Sequence, residues 1–186
     1  MDFRRLKGTR LKGKTAIVRV DFNVPRNKDG SISDDTRLQA TLPTIKHLQK
    51  AGAKTVLLSH FGRPKGKANK KDSLHFIIAP LAEALQSEVM FSPTLNANAV
   101  DLVEPGGVML MENTRFHKGE TEGDKTLAKE FAALGDLFIQ DAFSAAHRNH
   151  ASSAVIGEFL PSYAGLAMER EPVSYTHLTL PTIYSV

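Results

Sequence analysis

Cysteine is absent from the 186 residues. That removes disulfides and thiolate metal sites, and it fits a reducing compartment. No apolar run is long enough to cross a membrane, and the opening Met1-Asp2-Phe3-Arg4-Arg5 leads into polar sequence with no apolar leader behind it. These two readings imply a cytoplasmic protein. Also missing is any Gly-x-x-x-x-Gly-Lys-Ser/Thr loop and any Gly-x-Gly-x-x-Gly turn, so neither a Walker-type nucleotide site nor a dinucleotide site is visible. The formal charge of +4 is too small to argue for nucleic acid by itself. No internal repeat is present, and the only biased segment is the Lys-rich stretch Lys65 to Lys71.

What is there reads as an ordinary globular core cut into short apolar runs. Thr15 to Val20, Thr55 to Ser59, Val89 to Phe91, Val108 to Met111 and Leu137 to Ile139 are β-branched or apolar without alternation. Such runs suit strands buried on both faces, the habit of parallel sheets. Helical spacing separates them. Leu38, Leu42, Ile45 and Leu48 follow candidate caps Asp34, Asp35 and Thr36 and end at Gly52, with Pro43 predicting a kink or a start at that proline. Ser73 precedes Leu74, Ile77, Ile78, Leu81 and Leu85, again with an awkward Pro80. A weak helix is expected from Asn96 to Val103. Asp124 caps a helix presenting Leu127, Phe131 and Leu134, stopped by Gly135. Strands alternating with helices predict an α/β fold, a doubly wound, mainly parallel sheet flanked by helices.

Right-handed crossovers put the carboxyl ends of all strands on one edge, where ligands bind in open α/β sheets. The residues delivered there are polar and mostly cationic. They include Asp21 and Asn23, then His60, Gly62 and Arg63, then Arg115, then His147 and Arg148. Arg37 joins from the first helical turn, and Arg19 from the end of the first strand. Each arginine alone is most simply a solvated side chain. Converging from distant positions, they form a set of donor forks suited to phosphate or carboxylate. Asp21 and Asn23 suit a hydroxyl. The implied ligand is small, has two or more anionic groups and carries a hydroxyl. His147 and His150 lack further ligands nearby and read as a structural or solvated pair, not a metal site.

The motifs come in a telling order: Val18-Arg19-Val20-Asp21-Phe22-Asn23-Val24-Pro25, Asp35-Thr36-Arg37, Ser59-His60-Phe61-Gly62-Arg63-Pro64-Lys65-Gly66, Glu112-Asn113-Thr114-Arg115-Phe116, and Asp141-Ala142-Phe143 followed by His147-Arg148 and His150-Ala151-Ser152. In these the chain resembles the N-terminal half of phosphoglycerate kinase, over roughly residues 5 to 171. The resemblance implies a Rossmann-like domain, a transferase activity of glycolysis and gluconeogenesis, and 3-phosphoglycerate or 1,3-bisphosphoglycerate as the ligand. Asp21 and Asn23 would contact its hydroxyl end, His60, Arg63, Arg115 and Arg148 its phosphate, and Arg37 the carboxyl group where transfer occurs. Phe22, Phe61, Gly62 and His147, inside the same motifs, complete the implied substrate-binding set.

The same resemblance implies a monomer with no nucleic-acid or membrane partner and no metal held here. Mg-ATP or Mg-ADP would be the co-substrate, bound by a C-terminal domain of which nothing is visible in this sequence. The fragment alone is then expected to be inactive. Ser144-Ala145 departs from a Gly-Thr common in the family. After Glu171 the likeness stops, and 172–186 read as a tail foreign to it. Two other readings stay open at this point. One is a stand-alone anion-binding domain. The other is a nucleic-acid-binding module resting on Gly62 to Lys67 and the lysines that follow, although no aromatic residues interleave as a stacking platform.

Overall fold

Strands that are apolar at every position must be covered on both sides, and the core is accordingly double. In the computed structural model, which describes residues 4–170, Ala16, Val18, Leu57, Leu110 and Ile139 face one way, and Ile17, Val56, Leu58, Met109 and Phe138 the other. The strands are β1 (Arg4–Arg5), β2 (Thr15–Arg19), β3 (Lys54–Leu58), β4 (Val89–Ser92), β5 (Val108–Met111), β6 (Leu137–Gln140) and β7 (Ser162–Ala164). They form one sheet in the order β1-β7-β6-β2-β3-β5-β4, and every pair is parallel. The expected "mainly parallel" sheet is thus wholly parallel among the described residues.

Helices α1 (Thr36–Lys50) and α2 (Ile78–Leu85) put Leu38, Ile45, Leu48, Leu81 and Leu85 on the first face. Helices α3 (Ala97–Asp101) and α4 (Lys125–Ala132) put Val100, Leu127, Ala128 and Phe131 on the second. The chain therefore winds outward from β2 to β4 over one face and returns over the other. This is the doubly wound arrangement expected. The neighbouring strands β3 and β5 lead into helices on opposite faces, which makes their carboxyl ends a switch point of the sheet.

Several local readings change. β1 and β7 were not anticipated, because two or three residues, charged or only half-buried, carry no pattern of their own; each exists by pairing with a neighbour. Helix α1 starts at Thr36 and runs through Pro43, so no helix begins at that proline. Pro43 deprives Gln39 of its helical donor, and Gln39 lies on the exposed side of α1, where water can serve instead. Of the three candidate caps Asp34 accepts from the Thr36 N–H at 2.9 Å, and Asp35 makes no cap bond. Ser73 caps a 3₁₀ turn over Leu74–Ile77, and α2 follows with Pro80 in its first turn, where a missing N–H costs little. Asp124 caps α4 as read, its carboxylate 2.8 Å from the Leu127 N–H. Helix α3 is shorter than expected, capped by Asn96 and ending at Asp101. Two short helices remain, α5 (Phe143–Ala146) and α6 (Leu166–Arg170). The expectations for Glu171 and for the tail 172–186 lie outside the described residues.

Candidate functional site

The loops after β3 and β5 are held together by one amide. Asn113 is fully buried and uses its whole side chain: Oδ1 accepts from the N–H groups of Phe61 (3.2 Å) and Arg115 (3.0 Å), and Nδ2 donates to the carbonyls of Phe61 (2.7 Å) and Asp72 (2.8 Å). Backbone bonds from Thr114 to Ser59 and from Gly66 to Arg115 stitch the same two loops. Glu112 receives the Leu74 and Asn113 N–H groups and the Ser73 hydroxyl. Gly62 sits at φ +59°, and a Cβ there would meet Asp72 Oδ1 at 2.7 Å, so this turn needs glycine. Its N–H donates to Asn23 Oδ1 (3.1 Å), and its carbonyl accepts from Arg115 Nη1 (2.6 Å). Asn23, Gly62 and Arg115 are therefore one connected unit drawn from three loops.

At one end of the edge the charges are matched. Asp21 accepts from the Asn23 N–H (3.0 Å), the Ser144 hydroxyl (2.6 Å) and Arg37 Nη1 (2.9 Å). Burial works to raise the Asp21 carboxyl. The Ser144 and Asn23 hydrogen bonds, with the Arg37 charge, outweigh it and hold the group below the usual carboxylate range. Ser144, which departs from the family's pattern, thus has a defined partner.

At the other end cations outnumber anions. Among the described residues none of Arg63, Arg115 and Arg148 makes an ion pair. Burial lowers the Arg115 guanidinium below its ordinary value, and the Arg148 and Arg63 charges add to that against the opposing pull of Glu120. Arg115 Nε is buried and finds no hydrogen-bond partner. A cleft of about 520 Å³ opens here, lined by Arg63, Lys65, Arg115, His117, Lys118 and Glu122 among others. Its lining comes from the loops that follow β3 and β5.

Not every residue of the expected set faces this edge. The Phe22 side chain is fully buried in the core and its N–H is held by Ser59 Oγ at 2.9 Å. Phe61 packs edge-on against Phe76, and both its backbone polar groups go to Asn113. Arg19, read as an edge cation, lies fully inside the molecule. His60 is nearly buried, and its Nδ1 lies 2.9 Å from Arg19 Nη2. Burial, with Arg19 and Arg115 adding to it, pulls His60 down to about 3, so this histidine is neutral and adds no charge to the loop. His147 is exposed, follows α5, and makes no hydrogen bond or ion pair with the rest of the set. Asn113, Ser59 and Ser144 had been passed over. A polar residue directly after a buried apolar run, as Ser59 is after Leu58, is the available signal for one of them.

Against known proteins, the model of the phosphoglycerate kinase family matches residues 6–181 of this chain, running past Glu171. The phosphoglycerate kinase of Caulobacter sp. strain K31 is 53% identical over 176 residues, covering 92% of this chain and 44% of that protein. The phosphoglycerate kinase of Coprothermobacter proteolyticus is 47% identical over 175 residues, with the same two coverages. Among solved structures, phosphoglycerate kinase from Coxiella burnetii superposes with a TM-score of 0.82 at 36% identity, over 92% of this chain and 44% of that one. The enzyme from Pyrococcus horikoshii OT3 gives 0.82 at 29% identity, over 97% and 47%. The chain spans less than half the length of the curated relatives it matches.

Proposed function

The chain belongs to the phosphoglycerate kinase family, and from that premise we propose that it carries the 3-phosphoglycerate half-site of such a kinase. The observation that carries this reading is the unpaired cluster of Arg63, Arg115 and Arg148 beside the paired Asp21 and Arg37. Three guanidinium groups that repel one another gain most from a phosphate dianion, which accepts from several forks at once. The Asp21 carboxylate at the far end accepts a hydroxyl proton, and Asn23, whose Nδ2 has no protein partner among the described residues, donates alongside it. The ligand then lies along the edge with its phosphate at the arginine cluster and its carboxyl group toward Arg37.

The reaction on this reading moves a phosphoryl group between the acyl phosphate of 1,3-bisphosphoglycerate and ADP. The accepting carboxylate is already ionised at neutral pH, so no general base is required. The chain's contribution is position and positive charge, with Arg37 placed to offset charge on the group in transfer. Magnesium-bound nucleotide is the co-substrate, supplying the phosphoryl acceptor or donor. We assign it to the part of the family's length that this chain does not span, and no residue here is given to it. The protein so read is a cytoplasmic, monomeric enzyme of glycolysis, and this chain alone does not turn over.

Calorimetry on the 186-residue chain tests the half-site. 3-Phosphoglycerate should bind with an affinity that falls as salt rises, and glycerate, lacking the phosphate, should bind at least about tenfold more weakly, the worth of one or more charge-assisted hydrogen bonds. Equal binding of the two, no binding of either, or stoichiometric binding of ATP instead would refute the assignment.

A further inference from the structure

A buried acid that the mechanism does not use sits behind the site. Glu120 is 1% exposed and belongs to the loop after β5. Its Oε2 accepts from the Ser152 N–H (3.0 Å) and its Oε1 from the Ser152 hydroxyl (2.5 Å). The hydroxyl proton is thereby committed to Glu120, and a lone pair on Ser152 Oγ is left to accept from Arg19 Nε at 3.1 Å. The Arg19 Nη1 group donates to the carbonyls of Val20 (2.5 Å) and Leu58 (3.4 Å) at the ends of β2 and β3, which fixes the guanidinium plane. Its Nη2 then meets His60 Nδ1 at 2.9 Å.

We propose that Glu120 and Ser152 are positioning residues which, through Arg19, hold the His60 imidazole as a neutral, oriented Nε2–H donor at the phosphate subsite. The proposal rests on the half-site reading for the identity of the ligand, and on the geometry alone for the histidine. A guanidinium has donors and no acceptor, so the His60 nitrogen it touches must be the bare one. The ring proton is thereby confined to Nε2, which has no partner among the described residues. Arg19 is a fully buried cation, and without Glu120 nothing directs the Ser152 hydroxyl to accept from it. Burial does most to keep the ring neutral; the charges of Arg19, Arg115 and Arg148 add to it, and that of Asp21 opposes it. The arginines then supply charge, and His60 supplies direction. This parallels the way an outer partner fixes the tautomer of a metal-bound histidine.

The test reads the ring directly. The 186-residue chain is labelled at its histidine ring nitrogens, with His60 assigned by its loss in His60→Gln. The wild type should show one tautomer, protonated at Nε2, unchanged from about pH 8 to about pH 5 although a free histidine titrates between. An Nδ1-protonated ring, or a ring doubly protonated near its ordinary value, overturns the proposal whatever the ligand proves to be. In Ser152→Ala and Glu120→Gln the tautomers should mix, and 3-phosphoglycerate should bind about fivefold more weakly, the worth of one hydrogen bond. Ser152→Thr, which keeps the hydroxyl, should restore both. In a His60→Ala background the same substitutions should have no further effect on binding. An undiminished effect there means Glu120 and Ser152 act on the fold and not through His60, and the proposal fails. If the wild type binds no 3-phosphoglycerate, the half-site reading falls while the ring spectra still decide this one.

Discussion

The two ends of the sheet edge handle charge in opposite ways. At the Asp21 end every charge is answered within the chain, by Arg37, Ser144 and a backbone N–H. At the Arg115 end burial and the charges of Arg148 and Arg63 work against the Arg115 guanidinium, whose buried Nε is left unbonded. A chain selected for stability alone would have no reason to keep the second arrangement, since like charges and unpaired buried donors both cost free energy. On the proposed reading, the matched end holds a group in a set position, and the unmatched end holds a place for charge that arrives with a ligand. Removing residues from the first should therefore alter rate or fold, and removing residues from the second should alter affinity.

Arg37 should give the largest effect. In a protein completed with the nucleotide-binding half proposed above, Arg37→Ala should lower kcat by about 10²–10³, as loss of a preorganised donor does. Arg63→Ala should mainly raise KM, because the remote phosphate is held equally in ground and transition state. Arg37→Lys should stay poor, since an ammonium keeps the charge but not the fork. The Arg37–Asp21 contact is half-exposed on the arginine side, so its loss should cost at most about 1 kcal/mol of stability. Steady-state kinetics with folding checked separates the roles, and a near-normal kcat in Arg37→Ala would remove the distinction between the two ends.

Next in size is Asn113, which belongs to neither end and fixes their spacing. Asn113→Ala leaves the Phe61 and Asp72 carbonyls and two N–H groups without partners in a buried place. A loss of about 3 kcal/mol in urea unfolding is expected. Asn113→Asp should do no better, because it sets a carboxylate against two carbonyls. A loss under about 1 kcal/mol would show that water replaces the amide and that the loops are held mainly by their backbone bonds.

The sequence already carried the architecture, because apolar runs without alternation require a sheet covered on both faces, and the helical spacings provide the cover. It also placed Asp21, Asn23, Arg63, Arg115 and Arg148 on one edge, since parallel topology leaves no other position for the ends of β2, β3, β5 and β6. What it did not show was direction. Arg19 was counted with the edge cations, yet it shares parity with Ile17, and that side of β2 is covered by α4. Parity within a buried strand was the clue that it points inward. The charge of His60 was invisible for a related reason, because it depends on Arg19 as a partner reached only by folding. Ser152 stands in one of the ordered motifs, but nothing in the sequence links it to Glu120, which it meets only in the fold. Residues of the inner shell are set by three-dimensional neighbours, and those of the edge by where strands stop.

The smallest expected effect is the sharpest test of the unmatched end. Arg148 is exposed, and its side chain makes no hydrogen bond or ion pair among the described residues. Its charge acts against those of Arg115, Arg19 and His60 protonated. Arg148→Ala should therefore leave unfolding free energy within about 0.5 kcal/mol of the parent, or raise it slightly by relieving Arg115. The same change should weaken 3-phosphoglycerate about tenfold, the share of one charge-assisted hydrogen bond to phosphate. The salt dependence of binding should become shallower, because one fewer cation meets the ligand. Arg148→Lys should recover the salt dependence more fully than the affinity, since it restores charge without the fork. A destabilisation above about 1 kcal/mol with affinity intact would make Arg148 an internal brace, and the unmatched end would no longer be a place kept for a ligand.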